Sequence, residues 1–348
     1  MQSRFNAGFD HYTITVPPPG GNYTEELDLH FIHQQSSRDD ATPLLMLHEW
    51  PSTSLEWEKV IPGLANPGKY QPAFHVVAPD LPGFGFLPAP TEPGLGPQEL
   101  AHVFPSLMQQ LGYKRYAVYS TDLGFPVALF MVQNNAVEII NHIGDFYVVF
   151  PNADDLAAFA ANQSTAEEVA IIAAVNDFNT NHAAYSAIHS TLPLSIAHSL
   201  NDSPVGFLAW IYQLVYTVSD KAYTTSELIT QALLLYIPGV YGNIRSYEEL
   251  CPVLGLLANG AIPKSAVPTS VLQFGGKTPY PPLDNFNFIV STSHDSPFPF
   301  LGIFEKVDHR ANLNNSPANG SSGLPTSHTS AAIRQEGISQ RGASRSLC

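Results

Sequence analysis

Three stretches of this 348-residue chain share one form: a short apolar run that stops at a loop of small or turn-forming residues. Leu44–Leu47 breaks at His48-Glu49-Trp50-Pro51. Phe74–Ala78, largely apolar, breaks at Pro79-Asp80-Leu81-Pro82-Gly83. Tyr116–Tyr119 breaks at Ser120-Thr121-Asp122-Leu123-Gly124, after which apolar residues return with helical spacing. Runs of this kind suit strands covered on both faces. Between the second and third, Leu100, Val103, Phe104, Leu107 and Leu111 fall on one helical stripe ending at Gly112. Strands alternating with helices predict an α/β class with a mostly parallel sheet flanked by helices. Ligands in such sheets gather outside the C-terminal strand ends, where His48, Pro82-Gly83 and Asp122 fall.

Further along, IINHIGDFYVVF supplies another strand candidate, and LDLHFIHQ (Leu27–Gln34) alternates as a half-buried strand does. LDLHFIHQ and the Leu44–Leu47 run are the two strands expected near the start of the chain, and SAVPTSVLQFGG and FNFIVSTSHD, near Ser265 to Asp295, read as two further strand-then-loop units. Residues 152–250 change character: they read as helical, rich in Ala, Leu and Tyr, without buried-strand runs. The expected organisation is a core over 1–151, an inserted helical lid over 152–250, and a shortened second core part over 251–311. The tail over 312–348 is Ser-, Gly- and Asn-rich with few large apolar residues, a composition expected to be disordered.

A net charge of −15 argues against a nucleic-acid surface, which needs clustered Lys and Arg. The two cysteines, Cys251 and Cys348, have no metal-ligand spacing, and the 13 histidines form no helical pair backed by carboxylates, so no metal is expected. The start, MQSRFNAGFDHY, lacks the basic and apolar regions of a signal peptide, and no apolar stretch is long enough for a transmembrane segment. A soluble, cytoplasmic protein is expected. DLPGFGF lacks both the G-x-G-x-x-G register and a Lys, so it is not read as a phosphate loop.

On spacing alone, Asp122 reads equally as the N-cap of the following helix or as a functional acid. Small-x-acid-x-small after a buried strand is also the pattern of a nucleophile elbow, a turn so tight that its flanks must be small. With Asp rather than Ser at the tip, the elbow would form an ester to a carbon centre bearing a strained or good leaving group. HEWP, APDLPGFGF, GYKRYAVYSTDLG and SPVGFLAWIYQ occur together in this order. In that combination the chain resembles the epoxide hydrolases of the α/β-hydrolase fold, in the branch holding the microsomal enzyme and its fungal relatives, from about Phe9 to Leu301.

The resemblance implies trans-opening of a small lipophilic epoxide to a vicinal diol, in secondary-metabolite biosynthesis or detoxification, with no cofactor and with a homodimer possible. It implies Asp122 as nucleophile, with the backbone N–H groups of Trp50 and Leu123 as oxyanion hole. Tyr185 (in AAYSAIHST) and Tyr247 (in GNIRSYEEL) would hold and protonate the epoxide oxygen. The family's base lies in a Gly-Gly-His-Phe stretch, which this sequence replaces by STSHDSPFPFLGIF. His294 is then the candidate base, ahead of His309, and Asp284 is a weak substitute for the orienting acid. Two other departures stand out. Glu49 replaces the family's Gly beside the oxyanion hole, and the long N-terminal segment of the branch is expected to be almost absent. The rival readings are a hydrolase-fold protein that binds ligand without turnover, a haloalkane dehalogenase using Trp50 as halide donor, and a serine esterase relying on Ser120.

Overall fold

The computed structural model of the chain describes residues 8–146, 151–218, 223–258 and 263–272. The anticipated strand in FNFIVSTSHD, His294, His309, Asp284 and the 312–348 tail lie outside the described residues.

A seven-stranded sheet organises the described residues. Its strands are β1 (His11–Val16), β2 (Leu27–Gln34), β3 (Thr42–Leu47), β4 (Phe74–Pro79), β5 (Tyr116–Ser120), β6 (Ile139–Gly144) and β7 (Thr269–Val271). They lie in the order β1-β2-β4-β3-β5-β6-β7. β2 runs antiparallel to both β1 and β4, and the remaining neighbours are parallel. The apolar runs are buried on both sides, as their lack of alternation requires. Leu45, Leu47, Val77 and Val118 face one apolar cluster, while Leu44, Met46, Val76, Ala78 and Ala117 face the other.

Three helices border the sheet directly: α1 (Ile61–Ala65), α2 (Pro97–Gln110) and α3 (Gly124–Asn134). Gly112 closes the α2 segment at φ +84°, the left-handed conformation that favours glycine. Among the described residues between β6 and β7 come seven more: α4 (Ala153–Ala160), α5 (Ala166–Asn181), α6 (Ala184–Thr191), α7 (Pro193–Asn201), α8 (Pro204–Val218), α9 (Thr225–Tyr236) and α10 (Val240–Ala258). The boundary anticipated at 250 falls inside α10, which continues past Pro252 because Cys251 and Val253 on either side are buried.

The glycines of DLPGFGF have a structural use. Gly83 sits at φ +88°, and a Cβ there would lie 2.7 Å from the backbone carbon of Gly242 in α10. Two glycines facing each other let the β4 loop touch the backbone of the helix that carries Tyr247.

Candidate active site

The β5–α3 turn is an elbow in conformation as well as in sequence. Asp122 has φ +35°, a left-handed backbone conformation that costs a non-glycine residue about 1–3 kcal/mol and persists only where packing holds it. Packing does so on both flanks. Ser120, two residues before, is fully buried and shares a 2.8 Å hydrogen bond with His142 Nε2 on β6. Gly124, two residues after, has room for nothing larger, since a Cβ would lie 2.6 Å from the Leu47 Cβ. The side chain of Asp122 does not cap α3, whose N-cap is Leu123 without a side-chain cap.

The half-buried Asp122 carboxylate instead points across to the β3 loop. Trp50 donates its backbone N–H to Asp122 Oδ2 at 3.1 Å, and the Leu123 N–H bonds the same carboxylate. Burial pushes the Asp122 carboxyl up to about 6, with the nearby Asp145 adding to the rise and the two N–H groups opposing it. At neutral pH Asp122 is mostly ionised. No ion pair involves it among the described residues.

The β3 loop that supplies Trp50 is tied down in several directions. His48 is fully buried, accepting the Leu81 N–H at Nε2 (2.8 Å) and bonding the Glu49 carbonyl through Nδ1 (2.8 Å). Asp80, also fully buried, bonds His30 Nδ1 at 2.7 Å and accepts the Ser54 N–H at 2.7 Å and the Phe86 N–H at 3.2 Å. The lid reaches down as well: Gln231 of α9 donates to the Pro51 carbonyl at 2.6 Å. Asn243 of α10 accepts the Trp50 indole N–H at 3.0 Å and donates to the Leu235 carbonyl at 3.2 Å.

Two of the inserted helices bring side chains to this place by the same rule, a pair spaced four residues apart on one helix face. On α6 the pair is Tyr185 and His189; on α10 it is Asn243 and Tyr247. Trp50 stacks on Tyr185 (ring centroids 5.3 Å, 10° apart), and Tyr247 meets Trp50 edge-on at 5.7 Å. The two phenols lie 6.0 Å apart, and the Tyr247 hydroxyl bonds that of Tyr185. Burial first, and then neighbouring charge that includes Asp122, keeps both phenols protonated well above their ordinary range. The structure thus gathers Trp50, Asp122, Leu123, Tyr185 and Tyr247 into one site.

Glu49 is in the same electrostatic neighbourhood, as its position predicts, but not as a fixed negative charge. Its backbone N–H donates to Glu56 Oε2 at 3.3 Å. Burial, then the charges of Glu56, Asp122 and Asp145, push the Glu49 carboxyl well above the usual range, while burial drives Glu56 up to about 8. The upward shift of both carboxyls favours their neutral forms, which weakens the repulsion that Glu49 would exert on Asp122.

Sequence reasoning missed Glu56, Asp145, His189, Trp210 and Asn243. Asp145 ends the β6 segment and accepts the Tyr119 hydroxyl at 2.7 Å. The available signals were its place at a C-terminal strand end and, for His189, the four-residue step from Tyr185. Two rivals meet physical obstacles. Ser120 is buried and engaged with His142, and the Trp50 indole N–H that a halide would need is given to Asn243. No group of three or more His, Cys, Asp or Glu among the described residues could hold a metal, and no described helix is long and apolar enough to cross a membrane.

Elbow, sheet order and inserted helices together define an α/β-hydrolase-fold protein, and the pattern described as "alpha/beta hydrolase fold" matches residues 42–143. The pattern "Epoxide hydrolase N terminus" matches residues 1–57. A candidate epoxide hydrolase of Stigmatella aurantiaca (strain DW4/3-1) is 34% identical over 221 residues, covering 62% of this chain and 49% of the relative. Juvenile hormone epoxide hydrolase 2 of Ctenocephalides felis is 25% identical over 279 residues, covering 73% and 60%. The solved structure of Aspergillus niger epoxide hydrolase superposes with a TM-score of 0.65 at 25% identity, covering 80% of this chain and 69% of that one. The chain spans about half to three-fifths of the length of these two sequence relatives.

Proposed function

We propose that this chain hydrolyses a lipophilic epoxide to a vicinal diol through a covalent ester on Asp122. The observation that carries the reading is an ionisable carboxylate held by two backbone N–H groups, in a site shared with two mutually bonded, protonated phenols.

In the first step an Asp122 oxygen attacks an epoxide carbon and the ring C–O bond breaks. The departing oxygen takes a proton from Tyr247 or Tyr185; a phenol is a suitable donor because the alkoxide formed is a far stronger base. Because the two hydroxyls are hydrogen-bonded, either can supply the proton while the other stabilises the resulting phenolate. In the second step water attacks the ester carbonyl carbon. The N–H groups of Trp50 and Leu123, already aimed at this carboxyl, hold the tetrahedral oxyanion. The intermediate expels the diol, and Asp122 keeps the oxygen from water. The water's proton needs a base, and His294 is the candidate.

The likeness to named epoxide hydrolases supports an epoxide as substrate, and the aromatic rings of Trp50, Tyr185 and Tyr247 support a lipophilic one. Incubation with a terminal aryl-alkyl epoxide tests the reading. Diol should accumulate with the parent chain and be abolished in Asp122→Ala. If His294 is the base, His294→Ala should accumulate the protein–substrate adduct by intact mass while releasing little diol. Diol formation by Asp122→Ala at the parent rate would overturn the proposal.

A further inference from the structure

His189 lies at the centre of the aromatic group around the site, yet the mechanism gives it no task. Its side chain is fully buried. Its ring meets Trp50 at 4.8 Å, Tyr247 at 4.9 Å and Tyr185 at 5.7 Å, each edge-to-face. The Trp210 indole N–H donates to His189 Nε2 at 3.1 Å. An indole nitrogen only donates, so Nε2 must be the bare acceptor and the single proton of the neutral ring must sit on Nδ1. Burial drives the imidazole's protonation down to about 3, so the ring is neutral at any working pH and this tautomer is fixed.

Nδ1 itself is buried and has no hydrogen-bond partner among the described residues. Buried donors are rarely left unmade, because the unpaired N–H forfeits its hydration with nothing in return. A donor of fixed tautomer, packed against both phenols and Trp50, adjoins the site with its bonding capacity unused.

We propose that His189 Nδ1–H is a specificity-determining donor that binds a second oxygen acceptor on the substrate, so that the preferred substrate is an epoxide carrying an ether, carbonyl or hydroxyl oxygen near its oxirane ring. The inference rests on the epoxide reading and refines it from a lipophilic epoxide to an oxygenated one. A hydrocarbon epoxide leaves the donor unpaired; an oxygenated one of the same shape pairs it.

The test compares glycidyl phenyl ether with 4-phenyl-1,2-epoxybutane, which differ by one ether oxygen in place of a methylene. Affinities are read from quenching of tryptophan fluorescence in Asp122→Asn, whose amide cannot form the ester, so binding is measured without turnover. The ether should bind about three- to tenfold more tightly, the size of one net hydrogen bond. Adding His189→Phe, which keeps an aromatic ring in place, should erase that ratio. Adding Trp210→Phe, which frees the tautomer, should shrink it. Nitrogen-15 spectra of labelled histidine should show His189 protonated at Nδ1 and its resonance displaced by the ether alone. Equal affinities, a ratio that survives His189→Phe, or a bare Nδ1 would each overturn the inference. Diol release by the parent chain tests the hydrolase reading separately: a chain that prefers the ether but releases no diol fails that reading and keeps this one.

Discussion

Gly124 offers the sharpest mechanical test of how the elbow is built. A single methyl there would place a Cβ 2.6 Å from the Leu47 Cβ and 2.8 Å from the Leu47 carbonyl oxygen. Carbon atoms pack at about 3.5–4.0 Å, so Gly124→Ala requires α3 and the end of β3 to separate by roughly 1 Å. Overpacking of this kind destabilises by about 1–3 kcal/mol. The separation also acts on the site, since Leu47 lies three residues before Trp50 and Gly124 two residues after Asp122. It therefore opens the 3.1 Å contact between the Trp50 N–H and Asp122 Oδ2. A misplacement near 1 Å costs about 10²-fold in rate. Gly124→Ala should thus lower the urea midpoint modestly and reduce single-turnover diol formation about 100-fold. Gly63→Ala in α1, where a Cβ meets nothing within 4 Å, serves as control: it should leave turnover unchanged and, if anything, raise the urea midpoint slightly, as Ala does over Gly in a helix. Parent-like turnover in a folded Gly124→Ala protein would refute the claim that this packing aims the carboxylate.

Other consequences can be measured directly. Because only the ionised Asp122 can attack carbon and burial sets its carboxyl near about 6, the rate of ester formation should rise with pH through that value and level off above it; a rate independent of pH between 4.5 and 8, values chosen to bracket about 6, would remove Asp122 from the first step. Tyr247→Phe and Tyr185→Phe should each reduce ring opening by about 10²-fold or more, and the double variant should lose far less than the product of the two, because the hydroxyls serve one oxygen. Burial opposes the charge of Asp80, but the hydrogen bond and charge of His30, with help from His48 and the Ser54 N–H, hold its carboxyl below the ordinary range. A depressed carboxyl stabilises the fold above its unfolded pKa and loses that contribution as pH falls. Asp80→Asn should therefore destabilise by about 3–5 kcal/mol at neutral pH, with the gap to the parent narrowing in urea melts below roughly pH 4.

The central strands and the elbow were legible because each depends on a local pattern: an apolar run buried on both faces, then a turn whose flanks must be small. β1 was missed because HYTITV lies at the sheet edge with mostly exposed or half-buried side chains, so its pattern carries little burial signal. A change in composition puts the lid boundary at 250, whereas the helix runs on through Pro252 to Ala258 with Cys251 and Val253 buried. The two tyrosines came from family motifs, and nothing local in the sequence pairs residues 62 positions apart. Glu49 shows the limit most clearly. Its charge is written in the sequence, but its protonation is set first by burial and then by Glu56, Asp122 and Asp145, all of which only folding supplies. His189 was invisible for the same reason, since its meaning lies in which nitrogen Trp210 occupies.

The oxygen bookkeeping of one turnover tests the account most directly. With enzyme in excess over epoxide in ¹⁸O-labelled water, ester formation at Asp122 and attack at its carbonyl carbon must give a diol free of label, with the heavy oxygen left on the peptide containing Asp122. Labelled diol from that first turnover, with Asp122 unlabelled, would mean that water attacks the epoxide itself and that no ester forms.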